Sequence, residues 1–278
     1  MSKLAVFYLS RYGNDLCFAQ AFLKSLVRHP SGCDFDLIYI LKGFPDHLTD
    51  PALTEYRPYI KNQVFEVRVS DDRFATNAFF DIAAHSAYER ILFLVSFSRI
   101  LVPNWMRSYL NAYDEVANCG MVGATGGFEA SYEVGFPNVN VRTNAFMMNR
   151  ELLLSLNLTP LETKRDGNRL EAGPNSLTRQ IEARGLKAVI VDRFGKVWQA
   201  EDWPASLTFR SGQQEGLIIA DNRTHQYAVA NAQRRAYLSS LNWGDKAVAP
   251  PAPLLRKAKS QVSWRWPLFD GYERPGFL

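Results

Sequence analysis

Over residues 4 to 125, short, mainly apolar runs alternate with stretches whose apolar positions recur every three or four residues. Leu4 to Leu9, Asp36 to Leu41, Val64 to Val69, Ile91 to Val95 and Met121 to Thr125 are runs of the first kind. They lack a helical period and predict strands, of which Ile91 to Val95, fully apolar, predicts one buried on both faces of a parallel sheet. Between the first two, Asn14 or Asp15 is placed to cap a helix carrying Leu16, Ala19, Leu23, Leu26 and Val27 on one face, and Pro30-Ser31-Gly32 ends it. Thr76 is expected to cap a second helix with Phe80, Ala83, Ala84 and Ala87 inward, and Pro103 to open a third at its first turn. Strand, helix, strand at this rhythm means right-handed crossovers. The fold class is α/β, with a mainly parallel central sheet and helices on both faces.

Beyond residue 125 the pattern loosens. Gly126-Gly127 reads as a flexible break, Val141 to Met148 as one strand, and Arg150 as the start of a helix. Residues 159–175, polar and marked by Gly and Pro, read as a loop. Asn175 or Ser176 caps Leu177 to Arg184, Gly185 sits where a helix hands over to a left-handed residue, and Leu186 to Val191 is a strand. No boundary shows before about residue 245. Residues 1–245 form one domain, and 246–278 begin as the proline-rich linker Ala247 to Pro253.

Composition narrows the class. A chain of 278 residues, 47% hydrophobic and 22% charged, suits a globular domain. A net charge of +4 fits a polyanionic small molecule or anionic lipid, and is too weak and dispersed for nucleic acid. Cys17, Cys33 and Cys119 form neither a disulfide framework nor a zinc pattern, and His29, His47, His85 and His225 are scattered. No signal-peptide pattern and no run of about 20 apolar residues is present. A cytoplasmic protein is expected, or one peripheral to the inner membrane face. For the latter, residues 254–269 interleave basic residues with Trp264, Trp266 and Phe269, which suits either an interfacial segment or a tail packed on the domain.

Candidate chemistry concentrates at strand ends, because in open α/β sheets ligands bind past the carboxyl ends. The run Arg90-Ile91-Leu92-Phe93-Leu94-Val95 ends in Ser96-Phe97-Ser98, with Pro103-Asn104-Trp105-Met106 following. Further on stands Leu170-Glu171-Ala172-Gly173-Pro174-Asn175-Ser176-Leu177-Thr178-Arg179-Gln180, followed by Gly185 and a strand. In this order and setting the two segments resemble GT-A fold, family-2-like glycosyltransferases, the nucleotide-sugar-dependent kind. The first resembles the strand delivering their Asp-x-Asp motif, and the second the acidic segment of inverting members. The resemblance covers roughly residues 4 to 215 and implies a single GT-A-like (Rossmann-like) domain.

The chain departs from that pattern at the metal motif. Ser96 and Ser98 offer hydroxyls where carboxylates would hold Mg²⁺ or Mn²⁺, so no essential divalent metal and no tightly bound cofactor is expected. The resemblance makes Glu171 the general base, with Glu162 as fallback, or leaves Glu171 an exposed loop residue. Arg179 and Arg210 are placed to neutralise a leaving diphosphate or to sit as surface arginines over packed side chains. Ser10, Arg11, Asp71 and Asp72 would hold the nucleotide, unless the acid pair is only a helix cap. Ser96 and Ser98 would contact ribose or phosphate, and Asn144 the donor sugar or acceptor unless it is a core polar group. Asp221-Asn222-Arg223-Thr224 reads as a turn or cap. The implied activity is transfer of a sugar from a nucleotide-sugar to a hydroxyl on a glycan, lipid-linked or protein acceptor, with inversion. The alternative is a non-catalytic nucleotide- or glycan-binding partner in glycan assembly.

Overall fold

A computed structural model describes residues 3–72, 74–158 and 161–248. Of the proline-rich and basic-aromatic extension expected over residues 246–278, residues 249–278 lie outside the described residues. In chain order the strands are β1 (Leu4–Arg11), β2 (Asp36–Lys42), β3 (Gln63–Val69), β4 (Arg90–Leu94), β5 (Arg99–Ile100) and β6 (Cys119–Gly123). Then come β7 (Gly126–Gly127), β8 (Asn140–Val141), β9 (Ala145–Asn149), β10 (Lys187–Val191), β11 (Val197–Trp198) and β12 (Ile219–Ala220). The first helices are α1 (Leu16–Arg28), α2 (Pro51–Tyr56), α3 (Ala75–Ala84) and α4 (Trp105–Glu115). They are followed by α5 (Arg150–Ser155), α6 (Lys164–Ala172), α7 (Leu177–Glu182), α8 (Asn222–Val229) and α9 (Ala232–Trp243). None of the described helices is long and apolar enough to cross a membrane.

Eight strands form the central sheet in the order β11-β10-β6-β9-β4-β1-β2-β3. The neighbours β3, β2, β1 and β4 are parallel, as are β6 and β10. The sheet is therefore mainly parallel, as its apolar runs predict. The exceptions are β9, which lies antiparallel between β4 and β6, and the edge strand β11, antiparallel to β10. Alternation along β1 splits its side chains between two cores. Leu4, Val6 and Tyr8 pack with α1, α2 and α4, whereas Ala5, Phe7 and Leu9 face α3, α5 and α7. Phe93 meets Phe7, Phe79 and Phe146 at centroid distances of 5.5, 5.3 and 4.9 Å, which ties β4 to β1, α3 and β9. Each such fully buried ring contributes about 1.5–3 kcal/mol.

Several local expectations change. Asp15 is the cap of α1, its carboxylate accepting from the Cys17 N–H. Helix α3 begins after Phe74 with no side-chain cap, so Thr76 lies inside its first turn, and Ala84 and Ala87 are exposed. Pro103 precedes α4 rather than entering it, because Asn104 adopts a left-handed conformation (φ 58°) between them. The Gly126-Gly127 break is a short strand, β7, paired with β8. The strand expected over 141–148 is two, β8 and β9, separated by Arg142-Thr143-Asn144. The loop expected over 159–175 contains α6, nucleated by a capping box between Thr163 and Asp166. That polar helix buries only Leu170, so it carries almost no apolar period to detect.

Candidate functional site

A cleft of about 760 Å³ runs along the carboxyl edge of the parallel strands. Arg11 ends β1, Lys42 ends β2, Asp71 and Asp72 follow β3, and Val95 and Ser96 follow β4. Because β9 runs the other way, the segment before it, Arg142-Thr143-Asn144, arrives at the same edge. The far wall comes from the end of α6, from Phe209 and Arg210, and from Asp221, Asn222 and Arg223 at the start of α8.

On the near wall one carboxylate joins two cations. The Arg11 guanidinium donates to both Asp71 oxygens at 2.7 Å, a bidentate fork. Lys42 Nζ donates to Asp71 Oδ1 at 2.5 Å and to the Asp71 carbonyl at 2.8 Å. These bonds, Arg11's first, hold the Asp71 carboxyl well below the usual carboxylate range against the opposing effect of partial burial. Asp72 is exposed beside them. Ser10 does not line the cleft. Its hydroxyl donates to buried Asp50 at 2.5 Å, where Tyr39 also donates, on the floor of a side chamber of about 350 Å³.

The far wall holds two ion pairs around one ring. Arg142 donates to Asp221 at 2.8 Å, and Arg210 to Glu129 at 2.7 Å. The two guanidinium carbons lie 4.1 and 4.9 Å from the Phe209 ring centroid. Burial pushes the Asp221 carboxyl up, but Arg142 and the Thr224 N–H and hydroxyl outweigh it and hold the group below its ordinary value. Arg210 is itself buried. Burial lowers its pKa, and the charges of Arg142 and Arg223 add to that effect against Glu129. Leu207, Arg210 and Gln214 all have positive φ (55°, 45° and 58°), so this loop is strained at about 1–3 kcal/mol per residue. Its surroundings hold it there. Gln214 accepts from the Arg210 N–H and donates to the Thr224 carbonyl, Tyr227 bonds the Gly212 carbonyl, and Trp243 bonds that of Phe209. Arg210 is thus a pre-placed cation.

Glu171 lies in the last turn of α6, inside a helix rather than in a loop ahead of one. It lines the cleft and accepts a 2.6 Å hydrogen bond from Thr143 Oγ1. Asn138 fixes that helix end by donating to the Ala172 carbonyl at 2.7 Å. The cleft therefore brings together Arg11, Asp71, Asp72, Ser96, Asn144, Glu171 and Arg210. It does not include Ser10, Ser98 or Arg179. Arg179 sits behind Asn138, 3.4 Å from its Oδ1. Glu162 is exposed and away from the cleft.

A divalent cation finds a poor ligand set past β4. Ser98 is buried and its hydroxyl turns to the Asn144 carbonyl at 3.4 Å, and Phe97 packs on Phe18. Among the described residues no group of three or more His, Cys, Asp or Glu side chains converges as a metal site would require.

Sequence reasoning missed Lys42, Arg142, Asp221 and Arg223 as cleft residues. Lys42 carried a usable signal, a lone cation closing an otherwise apolar strand run. Arg142 did not, because its place depends on β9 being antiparallel.

No protein-family model matches the chain, and no curated protein matches it in sequence. Among solved structures it is similar to the mannosyltransferase PcManGT from Pyrobaculum calidifontis, solved with GDP-Man and Mn²⁺. The identity is 14% over 74% of this chain and 59% of that one, at a TM-score of 0.48. It is also similar to the galactosyltransferase LgtC, solved with donor and acceptor sugar analogs, at 10% identity over 53% of this chain and 58% of that one (TM-score 0.39). A third is the glycosyltransferase GlyE of Streptococcus pneumoniae TIGR4, at 18% identity over 53% of this chain and 34% of that one (TM-score 0.36). The chain thus spans less than two-thirds of each of these proteins, and neither substrate nor metal passes from them to it.

Proposed function

We propose that this chain is a glycosyltransferase that moves a sugar from a nucleotide-sugar to an acceptor hydroxyl, with inversion and without a tightly held metal. The observation that carries the reading is one cleft in which Glu171, held by Thr143, shares a wall with two arginines, one on a rigid, strained loop and one at the β9 edge. Glu171 takes the acceptor proton. The acceptor oxygen then bonds to the anomeric carbon as the bond from that carbon to the diphosphate oxygen breaks. The nucleoside diphosphate leaves with the electron pair, and its growing charge falls to Arg210 and Arg142, with Arg223 beside them. Preorganised cations of this kind stabilise developing charge without reorganising. Arg11, Asp71 and Asp72 suit the nucleotide, and Ser96 the ribose or phosphate. Thr143 orients Glu171, and holding both substrates in one crevice supplies proximity. Arg142 thereby takes the role expected of Arg179.

The test is a panel of UDP-, GDP-, dTDP- and CMP-sugars assayed by thermal shift, then by donor hydrolysis and transfer. A donor that stabilises the protein and is turned over, with turnover lost in Glu171→Gln and binding kept, supports the reading. Stabilisation with no turnover for any donor and acceptor mixture assigns the cleft to a binding protein instead.

A further inference from the structure

Among the described residues, four buried polar atoms without a hydrogen-bond partner belong to side chains of this same cleft. They are Oδ1 and Nδ2 of Asn242, Nδ2 of Asn144 and Nε of Arg210. These residues are only 0%, 7% and 3% exposed. Asn242 is the sharpest case. It stands near the end of α9, outside the stretch that resembles a glycosyltransferase, and both ends of its carboxamide are unpaired. Gly127 lies against it so closely that a Cβ there would come within 2.4 Å of Oδ1. A buried amide left unsatisfied costs the folded protein, so a partner, either a bound group or a buried water, is called for at this wall.

We propose that this wall is a subsite for a sugar ring, and that the Asn242 carboxamide pairs with two adjacent hydroxyls of it. One hydroxyl donates to Oδ1 and the other accepts from Nδ2. The hydrogen-bond inventory selects this chemistry. Asn242, Asn144 and Arg210 offer N–H donors, and Asn242 alone among the three offers an unpaired acceptor. A phosphate only accepts and would leave Oδ1 unpaired, whereas an apolar group would leave all four atoms unpaired. A polyol both accepts and donates. Access takes a turn about the last torsion of Asn242, which is broad for a carboxamide, or a small shift of β7. The inference rests on the glycosyltransferase reading for the sugar's origin, which is either the donor or the acceptor.

The experiment titrates full-length wild type, Asn242→Ala and Asn242→Asp by calorimetry. The probes are UDP- and GDP-hexoses, the free nucleoside diphosphates, methyl hexopyranosides, and single-deoxy analogues of each sugar. Asn242→Ala is expected to lose roughly tenfold to a hundredfold in affinity for the sugar-bearing ligand. It should also cease to distinguish that ligand from one deoxy analogue, while nucleoside diphosphate affinity and unliganded Tm stay unchanged or the Tm rises. Loss in the nucleotide-hexose arm places the donor sugar here, and loss in the methyl glycoside arm places the acceptor; both support the proposal. Equal affinities in wild type and Asn242→Ala mean that buried water alone meets the amide, and overturn it. If Asn242→Ala instead loses Tm and diphosphate affinity together, it is misfolded. The near-isosteric Asn242→Asp then decides the matter: it lacks the N–H donor, and unless it shows the same loss of deoxy discrimination the proposal falls. The glycosyltransferase reading fails on a separate axis, by sugar binding that depends on Asn242 with no transfer in any donor–acceptor pair.

Discussion

Replacing Arg142 by methionine tests the electrostatics of the far wall, because its partner Asp221 has nowhere else to turn. The Asp221 side chain is 1% exposed and that of Arg142 is 19% exposed, so the anion is the committed partner. Removing one member of a buried pair costs about 3–5 kcal/mol. Thr224 still donates to Asp221 through its backbone N–H, which places the expected loss for Arg142→Met near the lower end, about 3 kcal/mol. Asp221→Asn keeps the helix-cap acceptor and leaves Arg142 able to reach the open cleft, so about 2 kcal/mol is expected. Asp221→Ala also loses the cap and should cost about 1 kcal/mol more. The double variant Arg142→Met/Asp221→Asn removes both charges and should recover most of the loss.

The pH dependence supplies a second readout. In the wild type the Asp221 carboxyl is held below its unfolded value, so the pair's stabilisation is present above about pH 4 and fades as pH falls below it. Without Arg142, burial dominates and the carboxyl rises above its unfolded value. The folded variant then holds its proton more tightly than the unfolded chain, and loses stability as pH increases. The gap between wild type and Arg142→Met must therefore widen from about pH 4 to pH 7. Urea unfolding at both pH values measures it. A gap below about 1 kcal/mol at pH 7, or one that does not narrow on acidification, refutes the account.

Three further outcomes are expected. Sugar transfer should survive EDTA and gain no more than a fewfold from added Mn²⁺, and a strict metal requirement measured by initial rates would contradict the arginine account. Gly126→Ala should lower stability by more than about 2 kcal/mol in a denaturant melt, since its Cβ would fall 2.3 Å from the Trp203 ring, itself fully buried. Asp71→Ala strands the buried Lys42 ammonium, so a loss of about 1–2 kcal/mol is expected at pH 7 after allowing for solvent screening of the exposed Arg11 arm. The Asp71 carboxyl is depressed in the folded state, so this loss should shrink below about pH 4, read by urea titration.

The strands at 4–11, 36–42 and 90–94 were legible because burial on both faces writes a nearly unbroken apolar run, and the edge strand at 63–69 because apolar residues cluster there without a helical period. Their ends then pointed to Arg11, Asp71 and Ser96. Other parts were not legible for definite reasons. Helix α6 buries one residue and is set by a capping box, so its stretch of chain reads as a loop although it delivers Glu171. Arg142 and Asp221 are 79 positions apart and meet only because β9 is antiparallel and α8 starts beside it. No periodicity encodes such a meeting. Ser98 looked like Ser96 in the sequence, but the turn after β4 sends its hydroxyl inward to Asn144.

The walls of the cleft come from positions as far apart as Arg11 and Asn242, so the pocket exists only once α9 has docked. During synthesis the β1–β4 half of the sheet would be complete long before anything could be gripped across the gap. A compound spanning both sides should raise the cooperativity of melting as well as its midpoint, since by mass action it favours only the fully assembled chain. Ligand-dependent protection would then extend to β1 and α9 alike, binding the first and last described elements into one unfolding event.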